Sequence, residues 1–583
     1  MKSKILILLI CIISEILYSQ VLPVCIDGKF EDWTGAMMSY TDTHGDGSEI
    51  DFYEFTVSND NDFLFIKLVI DHEIKFNTDN DIYLYLDTDN NSNTGYYVND
   101  IGAELGWKFG GRYGYFNISN PPVNLYFSDI QLRSAPTVSN NIFEIAIGRN
   151  VLPDGTNSLF VGDTLKICFC DSSPNGDYMP NIGESFTYIF DNTYIPPPEP
   201  VLFEKTDALF IRLMTYNTLN SGLSDPARLP VFKRLITAVS PDIITFNECW
   251  YTSYQEAKNI LDEILPLNNG SGWHAWKIDG SDITCTRYPV IDNWLILTDH
   301  RLSASLIDLP DEYEKDILVI NAHLRCCDED EIRQIEADAF ASFILDAKTP
   351  GGIIDLPEGT PFVLSGDLNL VGLSQQLKTL TTGEIINTIS FGNGGPLDWD
   401  NTDLKDLNCR QSDKRMSYTW RSDNSEYSPG RLDFAIFSNS TMKAEKAYTI
   451  QTEVMPQERI DLYGLQFDDT RTASDHFPMV TDFSLSLNSG FKENFTEILE
   501  LDIFPNPATD NLQILFDLSE NNYVCIKLID ISGKVLQKVI DENLSEGKYF
   551  LKINIEDFDS GICFFVLKTK SEIAVRKVIV LRR

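Results

Sequence analysis

Apolar positions fall into distinct regimes along the chain. From about residue 22 to 193, short runs such as FLFIKLVI, DIYLYLD and IFEIAIG alternate or cluster apolar side chains and are separated by Asn, Asp and Gly turns. A period of two places alternate side chains on one face of a sheet, so this stretch predicts an all-β unit, and helical spacing is hard to find in it. Pro196-Pro197-Pro198-Glu199-Pro200, within 194–206, favours stiff extended backbone and reads as a linker. From 207 to 485 the strand-like runs FIRLMTYNTL, DIITFNE, DILVINAHL, PFVLSGDLN and RLDFAIFS alternate with helical spacing such as ARLPVFKRLITAV, which predicts an α/β unit. Residues 501–583 return to short β runs with turn signals at Ser532-Gly533 and Ser560-Gly561 and predict a small β-sandwich.

Ahead of these units, Met1-Lys2-Ser3-Lys4 is followed by the apolar run ILILLICII, then Ser14, Glu15 and a stretch ending near Ser19-Gln20. The run is shorter than the ~20 residues a spanning helix needs, and Glu15 interrupts it, so residues 1–20 read as a cleaved secretory signal rather than an anchor. No later stretch is long and apolar enough to span a bilayer. A length of 583 residues suits about three or four domains, and 43% hydrophobic content supports real cores. The formal net charge of −41 excludes a broad basic footprint for coating nucleic acid. It leaves a nuclease open, because a bound metal ion can supply the positive charge that a reacting phosphate meets. Of 11 cysteines, Cys11 leaves with the signal; Cys168/Cys170 and Cys326-Cys327 are either disulfide partners or buried small hydrophobes, and no zinc-like spacing occurs.

The α/β region carries the candidate chemistry. Asn217 ends LMTYN, Glu248 ends DIITFNE, His323 follows LVINA, Asp367 and Asn369 lie in SGDLN, Asp433 lies in RLDF, and Asp475-His476 in ASDHFPMV. Apolar runs that stop at such residues line one rim of a sheet, where α/β proteins bind ligands. A phosphodiester repels a nucleophile, so a hard divalent cation held by oxygens is required; Glu248, with Asn217 and Asp475, forms the candidate metal set, for Mg²⁺ or Mn²⁺. His476 is the candidate general base, oriented by Asp433. Asp367 and Asn369, two apart on an extended segment, position the nucleophile or stabilise charge, and His323, if protonated, binds a phosphate oxygen or assists the leaving group. Each residue alone has a structural alternative, Asp367-Asn369 as an Asx turn for example. Joint occurrence weighs more: of four histidines in this region, two fall in these strings.

The ordered strings MTYN, PDIITFNE, NAHL, SGDLN, RLDF and SDHFP resemble the endonuclease/exonuclease/phosphatase superfamily over roughly residues 209–484. The resemblance implies a four-layer α/β sandwich, two sheets flanked by helices, and metal-assisted in-line attack on phosphorus. By matching position it makes Asn217 and Glu248 metal-site residues, His323 a phosphate-side histidine, Asp367 and Asn369 a central pair, and Asp433 with Asp475-His476 the histidine dyad and metal side. Thr286-Arg287-Tyr288-Pro289 departs from the family's usual turn by Thr for Ser, and Asn247 stands where Gln is frequent.

The segments CIDGKFEDW and YLDTDNNSNTGY resemble carbohydrate-binding-module family 9-like, DOMON-like β-sandwiches, which implies a polysaccharide partner. Asp87, Asp89 and Asn91 offer oxygens for Ca²⁺ or form a solvated hairpin turn, and Trp107 with nearby tyrosines is either a sugar-stacking face or core. At the C-terminus, IFPNPATDNLQI, LIDISGKVLQK and SGICFFVLKTK resemble the type A sorting domain of the type IX secretion system of Bacteroidetes, which implies recognition by that machinery and a secreted or cell-surface destination reached through the periplasm. The expectation is a multidomain secreted phosphodiesterase, foremost a nuclease acting on DNA or RNA. A sphingomyelinase-like phospholipase or a phosphomonoesterase stands within the same superfamily; an exposed aromatic hairpin near the rim would favour the phospholipase, and Trp273-His274-Ala275-Trp276 is the string that could form one. From another class, the alternative is a polysaccharide-binding surface protein with a silent central unit.

Overall fold

A computed structural model describes residues 23–487 and 501–581, apart from 35–36, 268–269, 279, 519–520, 531–534, 556–557, 559 and 570–572. The signal segment 1–20 and the Ser532-Gly533 turn lie outside the described residues.

Alternation in the first region produces two packed sheets. One holds five strands in the order Met38–Thr41, Phe52–Asn59, Phe63–Ile74, Asn140–Gly148, Arg133–Ala135; the other is seven-stranded around Thr164–Asp171, Ile82–Asp87 and Leu105–Lys108. In Ile82–Asp87, Ile82, Leu84 and Leu86 point into the core while Tyr83 and Tyr85 stay half-exposed. The inward residues meet Phe52, Phe55, Leu68 and Phe143 from the facing sheet and pack beside Phe169 of their own sheet. Trp107 is 2% exposed inside this core, so it is unavailable for stacking on a sugar.

The central region forms two six-stranded sheets. The first runs His274–Trp276, Ile283–Thr286, Ile243–Asn247, Ile211–Asn217, Met479–Leu485, Met442–Thr449; the second runs Val290–Leu295, Leu302–Ile307, Ile317–His323, Phe362–Asp367, Asp433–Phe437, Lys405–Asp406. Helices Leu229–Val239 and Tyr254–Ile264 cover the outer face of the first sheet, and Asp330–Ala347 with Ser374–Thr382 that of the second, which gives four layers. Between the sheets, small polar groups meet: Thr245 Oγ1 lies 3.0 Å from Ser365 Oγ, and Asn247 Nδ2 donates to Asn321 Oδ1 at 2.9 Å. These contacts satisfy groups whose burial without partners costs free energy. Register then sets the site. Asn217 pairs with Asn247 across parallel strands, while His323 pairs with Asp367 and Asp367 with Asp433 across the second sheet. Three ionisable residues therefore stand side by side at one sheet end.

The stretch 194–206 packs along the central unit. Arg415 Nη2 donates to the Pro196 carbonyl at 2.8 Å, and Val201 N donates to the Ser412 carbonyl at 2.9 Å. The first sandwich also adheres to the central unit through a shared apolar core of Val24, Ile26, Trp33, Phe63 and Phe65 against Met416, Tyr418 and Phe477. Ile26 N donates to Arg415 O at 3.1 Å and Ser417 N to Ile26 O at 3.1 Å, so the two backbones pair across it.

The C-terminal unit is a second, smaller sandwich. A three-stranded sheet of Leu501–Phe504, Asn511–Leu518 and Gly547–Asn554 and a four-stranded sheet around Asn522–Asp530 and Gly561–Lys568 enclose Leu512, Ile514, Phe516, Ile526, Phe565 and Leu567. Among the described residues all cysteines carry free thiols; Cys168 and Cys170 are buried as small hydrophobes, whereas adjacent Cys326 and Cys327 are exposed with sulfurs 2.6 Å apart.

One buried ion pair anchors the first central sheet. Arg212 donates from Nε and Nη2 to Asp482 at 2.6 and 2.8 Å, directly across the pairing of Ile211–Asn217 with Met479–Leu485. Removing one partner of a buried pair strands the other charge. Arg212→Ala is therefore expected to lower unfolding stability by about 3–5 kcal/mol in urea titrations; a loss below about 1 kcal/mol, the range of exposed pairs, would contradict that reading.

Candidate active site

Strand ends carry most of the site. Asn217 closes Ile211–Asn217, Glu248 directly follows Ile243–Asn247, His323 and Asp367 close adjacent parallel strands, and Asp433 opens the next strand. Glu248 has φ +55° and Asn369 φ +48°, while Leu219, Asn220 and Ser221 run at +47° to +64° beside them. Left-handed backbone at non-glycine residues is strained and concentrates where geometry serves function. Past Glu248, Ser253 and Glu256 form a reciprocal capping box that starts helix Tyr254–Ile264 and fixes where the chain leaves the rim.

A cavity of about 600 Å³ collects Glu248, His323, Asp367, Asn369, Asp475 and His476 along its wall. Asn217 and Asp433 stand behind that wall. Asn217 Nδ2 donates to Asp367 Oδ2 at 2.9 Å and to Glu248 Oε1 at 3.2 Å, holding two carboxylates in place. His476 Nδ1 lies 2.8 Å from Asp433 Oδ2 and its Nε2 is 3.5 Å from Asp367 Oδ2; His323 Nε2 approaches the same oxygen at 3.6 Å. All eight residues singled out in the central region are thus brought to one end of the two-sheet core.

The segment 419–421 ties the dyad together. Phe477 N donates to Thr419 O and Arg421 N to Asp475 O, while Thr419 Oγ1 accepts from the backbone N–H of Leu432 and Asp433 at 2.9 and 2.8 Å. Trp420 Nε1 donates to Asp475 Oδ2 at 3.0 Å. The same chain carries Met416 and Tyr418 into the apolar core shared with the first sandwich. Spacing gave no sign of Thr419 or Trp420, since neither residue type marks chemistry by itself.

Charge decides protonation. Burial opposes a charge on His476, but the carboxylates of Asp433 and Asp367 outweigh it and raise the imidazole pKa to about 10. Burial pushes Asp367 up from the usual carboxylate range, with His476 opposing and Asp433 adding to the rise. His323 moves the other way: burial first, then the charges of Arg301, His476 and Arg325, hold it well below the ordinary histidine value. These surroundings disfavour a charge on His323, the condition on which its phosphate-binding role, as read from the sequence, depends.

The donor set suits a hard divalent cation. Glu248 and Asp475 offer only oxygen, and Asp475 Oδ1 is buried without a hydrogen-bond partner. Mg²⁺ binds through one or two carboxylates while keeping several waters, so such a sparse set is sufficient. In the first sandwich, Asp87 and Asp89 come together with Glu104, with ligand oxygens within 4.8 Å of one another. Glu104, missed in the sequence because it lies 15 residues past Asp89, has an unpartnered buried Oε1. The Asn91 side-chain oxygen instead accepts from Asn93 N at 3.1 Å.

The aromatic string Trp273–Trp276 does not line the cavity: Trp273 is fully buried and His274–Trp276 is an edge strand. Trp250 does line it, 41% exposed, with Tyr251 after it 87% exposed. Lys75, Phe76, Asn77 and Thr78 of the first sandwich complete part of the wall.

Residues 502–581 match the family described as the secretion system C-terminal sorting domain, so the chain carries an address for export. No curated protein matches the sequence. Among solved structures, beta toxin 275-280 from Staphylococcus aureus aligns at 15% identity over 46% of this chain and 99% of its own, with a TM-score of 0.30. Sphingomyelinase C from Streptomyces griseocarneus aligns at 13% identity over 47% and 99%, TM-score 0.28. The AP endonuclease LMAP from Leishmania major aligns at 12% identity over 49% and 93%, TM-score 0.27.

Asp433 is the foremost of the groups that raise the His476 pKa. In Asp433→Asn the imidazole titration, followed by NMR of its ring protons, is expected to move down from about 10. An unchanged titration would show that Asp433 does not set the charge on His476.

Proposed function

We propose that this chain is a secreted divalent-metal-dependent phosphodiesterase and, within that class, a nuclease acting on DNA or RNA. The carrying observation is the row His323, Asp367, Asp433 with His476 bridging Asp433 and Asp367 over the cavity floor. Glu248 and Asp475 would hold the metal, Mg²⁺ or Mn²⁺. When bound, the cation offsets the charge of the phosphoryl group that an attacking water must approach.

The protein's own groups divide the remaining work. Between its two carboxylates His476 is an imidazolium, so the proton-accepting role read for it in the sequence passes to Asp367. That carboxylate, lifted toward neutrality by burial and fixed by Asn217, takes the proton of the attacking water. His476 keeps its proton, anchored by Asp433, and directs positive charge at the phosphoryl oxygens. Neutral His323 donates an N–H hydrogen bond on the opposite flank. Asn369, whose backbone N–H donates to Asp367 Oδ1 at 3.0 Å, fixes the orientation of the acceptor.

Nucleic acid is favoured over lipid by the rim. Trp250 flanks His323 with ring centres 6.3 Å apart and lies under the Arg301 guanidinium at 5.6 Å, a platform on which a base can stack while the cation faces the backbone. Away from the cavity, the stacked Tyr83–Tyr85 pair and the exposed Tyr113 and Tyr115 favour a second role of the first sandwich in holding polysaccharide.

The test is hydrolysis of bis-p-nitrophenyl phosphate, plasmid DNA and sphingomyelin vesicles by the mature chain, with Mg²⁺ and with EDTA. EDTA is expected to abolish turnover, His476→Ala to reduce it by about 10²–10³, and Glu248→Ala to reduce it and raise the Mg²⁺ concentration needed. Trp250→Ala should keep turnover of the small diester and weaken only DNA cleavage, base stacking being worth about 1–3 kcal/mol. Cleavage of sphingomyelin and not DNA would move the assignment to a phospholipase; no cleavage of any substrate with any divalent metal would overturn it.

A further inference from the structure

Away from the cavity, the edges of the two sheets of the first sandwich meet at a second acidic group. Asp42 follows edge strand Met38–Thr41 of the five-stranded sheet, and Asp177 precedes edge strand Tyr178–Met179 of the seven-stranded sheet. Between them the turn Thr43-His44-Gly45-Asp46-Gly47 brings Asp46 in. Gly45 adopts φ +87°, and a Cβ on Gly47 would lie 2.3 Å from the Ile50 carbonyl, so this turn accepts only glycine at those places. Asp51 clamps it by accepting from the N–H of Gly45 and Gly47. Oxygens of Asp42, Asp46 and Asp177 all lie within 4.8 Å of one another.

The second observation concerns satisfaction rather than proximity. Asp42 is 7% exposed, and both of its carboxylate oxygens are buried with no hydrogen-bond partner. Asp177 is also buried, its oxygens accepting only from the backbone N–H of Phe52 and Tyr178. No lysine, arginine or histidine forms an ion pair with any of the three among the described residues. Buried carboxylates gathered without a cation repel one another, and an orphaned buried charge costs several kcal/mol. Oxygens no more than 4.8 Å apart can share one ion at about 2.3–2.6 Å.

We propose that Asp42, Asp46 and Asp177 form a Ca²⁺ site that staples the edge strands of the two sheets together. An oxygen-only, carboxylate-rich set on a glycine turn suits the larger, geometrically tolerant Ca²⁺ rather than a thiolate- or imidazole-seeking metal. Export fits this assignment, since the site would then fill from a calcium-rich medium. Its expected affinity is that of extracellular modules, about 10⁻⁴–10⁻³ M.

The test uses the full mature chain with CaCl₂ as the probe. Thermal unfolding is recorded with and without Ca²⁺ and bound Ca²⁺ is counted by equilibrium dialysis, for the wild type, Asp42→Asn and Asp46→Asn. The second variant is at an exposed position and leaves the core intact. Ca²⁺ should raise the wild-type Tm, and each variant should bind about one ion fewer and lose part of that rise. With EDTA, Asp42→Asn should be at least as stable as the wild type, because a repelling buried charge is gone. Unchanged stoichiometry and an unchanged calcium-dependent Tm in both variants would overturn the site and would show that a proton, rather than a cation, neutralises Asp42.

Discussion

The hydrogen bond from His476 Nδ1 to Asp433 Oδ2 is the interaction on which the central site depends. Glu248, Asp367, Asp433 and Asp475 converge at one end of a buried two-sheet core, an arrangement that self-repulsion would open if nothing opposed it. The imidazole answers two of them, Asp433 through Nδ1 and Asp367 through Nε2. Asn217 donates its amide hydrogens to Asp367 as well and to one further carboxylate, Glu248. What remains unanswered is one buried carboxylate oxygen of Asp475, which has no hydrogen-bond partner.

That dyad is held from outside the central unit as well as within it. The segment 416–421 lies between Ile26 of the first sandwich and the strand-like 475–477, and one of its faces enters the shared apolar core while the other carries hydrogen bonds to Asp433 and Asp475. The first sandwich therefore acts as a buttress to the segment 416–421 and, through Lys75–Thr78, as a wall of the cavity. Domains that share such an interface are expected to unfold together, since burying Phe65 and Phe477 benefits neither alone.

The parts legible in the sequence were local ones. Brief apolar runs ending in Asn217, Glu248, His323, Asp367 and Asp433 named the strands and the rim at once, because both the period and the terminal residue belong to one short segment. Asp87 and Asp89 were visible for the same reason. Glu104, Trp420 and the trio Asp42, Asp46, Asp177 were not, since contacts across sheets and turns bring them together from distant positions. The surroundings that disfavour a charge on His323 were equally hidden: burial, Arg301 and Arg325 are placed about it only by the fold. Trp107 read equally as platform or core until the seven-stranded sheet turned it inward.

The proposed function requires this rim to hold a divalent cation where a phosphodiester can reach it. Crystals grown with Mn²⁺ and measured at the manganese absorption edge test it most directly. An anomalous peak is expected in the cavity against Glu248 and Asp475 and is expected to be lost in Glu248→Gln. A cavity without a peak, or a peak that Glu248→Gln leaves in place, would contradict it.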